Sequence, residues 1–210
     1  VRGAAGARQR AAAGRPLARP WLPRALLVGL CTGLAGVAPA TTLAPISFQD
    51  LVARAERILV TEVVDVTSRE DASRPGLVVT RVTFRVASVL KGPPAAVVAL
   101  DLPGGTLGEA SLEVVGLPRF RIGDRDVLFV KPGGRHLSPF VGFAHGRVRI
   151  TQGLPSGLAR VARFDGRPLA SVREFSDPPA SRAAQAGEAM TLDRFLAEVA
   201  REVRAQETAR

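Results

Sequence analysis

The chain has 210 residues, room for one or two domains, and a net charge of +10. Six of those charges are Arg2, Arg8, Arg10, Arg15, Arg19 and Arg24 in residues 1–40, a region with no acid, which leaves +4 for residues 41–210. Beyond residue 40 arginine is interleaved with Asp and Glu, Tyr is absent and the one Trp is Trp21, so the chain lacks the basic face with aromatic platforms that nucleic-acid binding uses, and no nucleic-acid partner is expected.

Residues 25–40, ALLVGLCTGLAGVAPA, follow the basic region and end in Ala38-Pro39-Ala40. That order predicts a secretory signal peptide over residues 1–40, cleaved near Ala40, and a secreted or periplasmic protein with no stable membrane insertion after cleavage. The apolar run is about 14 residues, rich in Gly and Ala. A helix that spans a bilayer needs roughly 20. Cys31, the single cysteine, lies inside the run and is preceded by Leu30, where a lipoprotein signal wants a small residue. After cleavage no disulfide can form, so the core alone must hold the fold.

Ser47-Phe48-Gln49-Asp50 opens a short helix that runs to about Glu56, with Ser47 as its cap and Ile46 stapled against Leu51. Residues 57–68 alternate apolar and polar, and residues 77–90 do the same, which predicts a long β-hairpin around the polar turn REDASRPG. Strands are expected over 95–102, 111–115 and, from its unbroken apolar run, 126–131. A hairpin is expected from 140–144 and 147–151 across His145-Gly146, and another over 159–172 with Asp165-Gly166 at its turn. Residues 176–189, rich in Pro, Ala and Ser, read as a linker. Residues 190–207 hold an amphipathic helix capped by Thr191, whose apolar face (Leu192, Phe195, Leu196, Val199, Val203) should pack on the sheet. The fold class is mainly β: a closed or nearly closed OB-like antiparallel barrel over 41–151, an additional hairpin over 152–175, and flanking helices.

The succession ARAERILVTEVVDV, TRVTFRVASVLKGPP, VVALDLPGG, RIGDRDVLFVKPGG and GRVRI resembles the netrin-like domain of the tissue inhibitors of metalloproteinases, and exported bacterial proteins of that type. Ala55-Glu56 stands at the lead-in to the first strand, Leu90-Lys91-Gly92-Pro93 at the end of the second, and Ile122-Gly123-Asp124 to Val130 at the late strand. The resemblance covers residues 47–151. It implies an OB-like fold and an exported, non-enzymatic protein with a protein partner, a metalloprotease being the specific candidate. Those inhibitors chelate zinc with an N-terminal cysteine locked by a disulfide. Here the expected first residue is Thr41 and no disulfide can form, so that route lacks its preorganisation.

The residues themselves offer little chemistry. His136 and His145 are the only histidines, both in expected turns without nearby acids, and read as solvated; no metal site and no cofactor are expected. Ser138 near His136 has no nucleophile-elbow setting, and no catalytic residues are expected. Asp124 and Asp126 share a strand face but are flanked by Arg121 and Arg125, which reads as a solvated charge cluster. Gly104-Gly105 and Gly133-Gly134 suit tight turns. The remaining candidate is the long connection 103–121, since long loops on rigid scaffolds carry binding. Pro103, Gly104, Gly105, Arg119 and Phe120 are its candidate binding residues. Arg119 and Phe120 are of types that anchor interfaces, with Phe120 equally suited to plugging the end of the barrel. A carbohydrate-binding OB module of the cell envelope is the alternative reading.

Overall fold

The structure, a computed structural model, describes residues 45–133, 137–152, 157–177 and 188–209. The expected signal peptide with Cys31, the new terminus at Thr41, Gly134, His136 and most of the expected linker lie outside them.

The described chain is mainly β. Helix α1 (Phe48–Arg54) leads into β1 (Arg57–Asp71) and β2 (Arg74–Lys91), followed by β3 (Val97–Pro103), β4 (Gly105–Leu107) and β5 (Ala110–Leu112). Then come β6 (Arg125–Val130), β7 (Arg147–Gln152), β8 (Ala159–Ala162) and helix α2 (Leu192–Thr208). Six strands form one antiparallel sheet in the order β3-β2-β1-β6-β7-β8, and β4 and β5 pair as a separate two-stranded ribbon.

The long hairpin is legible in its alternation and exceeds it: β1 spans 15 residues and β2 spans 18. Its register slips at several points, one of them between Val63 and Asp65, where Val64 stands out of the ladder and is exposed. β1 and β6 pair from Arg57↔Val130 to Glu62↔Arg125, in the middle of the sheet. Both faces are covered there. Ile58, Val60, Val127 and Phe129 join one core with α1, α2, Leu169 and Phe175. Leu59, Val63, Leu128 and Val130 join a second core with Phe84, Leu102, Phe120 and Phe140. Two-sided burial is why Val127-Leu128-Phe129-Val130 of β6 is an unbroken apolar run.

Both helices begin as their caps predict. Ser47 Oγ accepts from the Asp50 amide at 3.0 Å and Thr191 Oγ1 from the Arg194 amide at 3.3 Å. Phe195, Val199 and Val203 of α2 are buried against the sheet, and Gln206 Nε2 donates to the Gln49 carbonyl of α1 at 3.0 Å. The Lys91-Gly92 turn closes against α1 as well. Lys91 Nζ donates to the Val52 carbonyl at 2.8 Å, at the helix C-terminus, where a cation is favoured. Gly92 has φ +91°, and a Cβ there would lie 2.7 Å from the Glu56 carbonyl oxygen.

Three expectations need correction. The sheet is not a closed barrel: among the described residues β3 and β8 are its two edges. The outer side of β8 is taken by later chain, since the Val161 amide donates to the Met190 carbonyl and the Leu169 amide to the Val161 carbonyl, both at 3.1 Å. The segment 140–144 is not a hairpin arm: only Phe140 bridges Val130, and Phe143–Gly146 forms a 3-10 turn. His145 in that turn is not solvated; it is 5% exposed, with its ring edge-on to Phe164 at 5.2 Å.

Candidate functional site

The connection between β3 and β6 folds over the far end of the β1–β2 hairpin and leaves a cleft of about 490 Å³ beneath it. Pro103, Gly104, Gly105, Arg119 and Phe120 all line this cleft, so the structure brings together the five residues singled out in the sequence.

Each is positioned differently. The Gly104 amide donates to the Val78 carbonyl at 2.9 Å, and its own carbonyl accepts from Thr80 Oγ1 at 2.7 Å, which ties the start of the loop to β2. Gly105 has φ +135°, and a Cβ there would fall 2.5 Å from Thr80 Oγ1 and 2.6 Å from Ser68 Oγ. Only glycine lets the β4–β5 ribbon approach these hydroxyls so closely. At the other end Phe120 is buried, edge-on to Phe84 at 5.2 Å and tilted against Phe140 at 5.7 Å. Of its two expected roles, it fills the core. Arg119 is the reverse: its side chain is 80% exposed and pairs at 2.5 Å with Glu113, itself 69% exposed.

The backbone between Arg119 and Phe120 is fixed by a residue that sequence reading passed over. Arg147, at the start of β7, has its side chain 4% exposed. Its Nη1 donates to the Arg119 carbonyl at 2.5 Å, its Nη2 to Asp124 Oδ2 at 2.7 Å and its Nε to Asp126 Oδ1 at 2.8 Å. The guanidinium carbon lies 4.1 Å from the centre of the Phe120 ring, a cation–π contact. All three N–H-bearing nitrogens and the π face of the guanidinium are therefore used.

This corrects the reading of Asp124 and Asp126 as a solvated cluster held by Arg121 and Arg125. Asp126 is fully buried, and the neighbour that matters lies on β7. Burial pushes the Asp126 carboxyl above its ordinary range, with Arg147 and Arg149 offsetting it only in part. For Asp124 burial also pulls upward, but the Arg121 amide and then Arg147 and Arg149 outweigh it, so its carboxyl titrates below the ordinary range. Asp126 Oδ2 is buried without a hydrogen-bond partner.

Among the described residues no group of three or more His, Cys, Asp and Glu is gathered to hold a metal ion, and no helix is long and apolar enough to cross a membrane. Ser138 is buried and its Oγ accepts from the Phe140 amide at 3.2 Å. The chain matches no protein-family model, no curated protein and no solved structure.

Proposed function

We propose that this chain is an exported, non-enzymatic binding protein that engages another protein at the cleft beneath residues 103–120. The observation that carries the reading is apolar exposure. Of the eight large apolar side chains exposed among the described residues, three, Leu107, Leu112 and Val115, sit on this one loop. Such a concentration, on a rigid two-sided sheet, is what a partner surface covers. The OB-like fold that the netrin-type resemblance implies belongs to this reading, with the six strands as its open form. Modulation of a secreted or envelope metalloprotease is the specific form of the proposal.

The test immobilises the chain, exposes it to secreted and envelope protein fractions, and repeats the capture with residues 106–117 replaced by a short turn that keeps Arg119 and Phe120. Retention of a defined protein, lost with the replacement, supports the reading. A zinc protease whose turnover changes on binding supports its specific form. Retention of glycan without protein moves the assignment to the carbohydrate-binding alternative. Nothing retained overturns both.

A further inference from the structure

Among the described residues, Arg119 and Glu113 are the only ionisable side chains lining the cleft. Their ion pair is exposed on both sides. Exposed pairs of this kind contribute about 0–1 kcal/mol, so a ligand can displace Glu113 at little cost. The backbone beneath is held quite differently. The Arg119 carbonyl is gripped by buried Arg147, and the next residue, Phe120, is packed between Phe84 and Phe140. The result is a lightly paired guanidinium on a rigid mount at the rim of a cleft. A guanidinium in that setting takes a planar anion through two parallel N–H donors.

The ribbon beside it supplies the second element. β4 and β5 are three residues each, among the described residues pair as strands only with one another, and carry Leu107 and Leu112 exposed. Two strands alone are marginal in water, and an unpaired strand edge accepts another strand.

We infer that the cleft takes an extended segment of its protein partner that alternates apolar residues with an acidic one, the carboxylate replacing Glu113 on Arg119 and the segment's backbone pairing with the β4–β5 ribbon. This rests on the reading of the cleft as a protein-binding site, and it names what that site recognises.

Selection of a randomised heptapeptide phage library on the immobilised chain tests it. Selected peptides are expected to be rich in Asp or Glu flanked by Val, Ile or Leu. Fluorescence anisotropy with the best peptide should show binding weakened roughly tenfold by Arg119→Gln, and as much by Asp→Asn or Glu→Gln within the peptide, the size expected for a charge-assisted contact. Glu113→Gln should tighten binding a few-fold by freeing the guanidinium. Selected peptides without acidic enrichment, or indifference to Arg119→Gln, overturn the inference, as does a library that yields no binder. Capture of a folded partner that depends on residues 106–117 but not on Arg119 leaves the binding reading standing without it, whereas loss of all capture removes both.

Discussion

Arg147 Nε donates to Asp126 Oδ1 at 2.8 Å, with the side chains 4% and 0% exposed. Neither charge has water to fall back on, so each depends on the other. Removing one partner of a buried pair leaves an uncompensated charge and costs about 3–5 kcal/mol, whereas replacing both with apolar groups is often neutral. Arg147→Met alone should therefore destabilise the protein by about that amount. The double variant Arg147→Met/Asp126→Leu should regain only the part of the loss that comes from leaving Asp126 unpaired, because Asp124 and the Arg119 carbonyl still lack their donor. Urea unfolding of the wild type, both single variants and the double variant measures the coupling. Additive losses would mean the pair is not the unit described.

The two aspartates facing Arg147 should give opposite pH signatures. The charged and titratable groups around them are Arg147 and Arg149 from β7 and the two carboxylates themselves. Asp126 titrates higher in the folded than in the unfolded chain, so its contribution is complete below the unfolded value of about 3.9 and is lost as pH rises through the folded value. Asp124 titrates lower when folded, so its contribution is present above about 3.9 and is lost as pH falls through the folded value. The stability deficit of Asp126→Asn relative to wild type should shrink as pH rises from about 4 to 7. That of Asp124→Asn should stay level over the same range and shrink only in more acid solution. Thermal melts across the series read both trends, and parallel curves would contradict the assignment.

The turn after β2 should be intolerant of a side chain at one residue and mildly sensitive at its neighbour. Gly92→Ala introduces a Cβ 2.7 Å from the Glu56 carbonyl at φ +91°, and backbone of that kind costs a non-glycine residue about 1–3 kcal/mol before the clash is counted. Lys91→Met removes the ammonium that closes the end of α1 and should cost roughly 1 kcal/mol. Chemical denaturation of the two variants should rank them in that order.

Helix α2 should be part of the cooperative unit. Phe195 is fully buried, with ring centres 6.2 Å from Phe48 of α1 and 6.5 Å from Phe129 of β6. Phe195→Ala should lower stability by about 3–5 kcal/mol with a single unfolding transition. A separate early transition for the helix would show that it docks independently of the sheet.

Much of the scaffold is legible in short windows because its causes are local. The caps Ser47 and Thr191 lie three residues before the amides they bind, the β1–β2 alternation follows the pleat, and the apolar run of β6 registers burial on both faces. Part of the site is legible for the same reason: Gly104 and Gly105 mark a turn, and the length of the 103–121 connection marks a surface loop. The start of the loop is tied to β2 by Thr80, 24 residues away along the chain, and its end by Arg147, 28 residues on from Arg119.

The sequence by itself determined the two capped helices, the long β1–β2 hairpin, the buried strand β6, and the place of the long connection between β3 and β6. Tertiary structure alone decided the rest. Phe120 turned inward and Arg119 outward because Arg147, 28 residues on, grips the carbonyl between them. Asp126 became a buried partner because the same guanidinium reaches it from β7. The outer side of β8 is occupied by Met190, far along the chain, whose carbonyl accepts from the Val161 amide. In each case a hydrogen-bonding group found its partner across a distance in sequence over which periodicity and local propensity carry no information, while burial made that pairing obligatory.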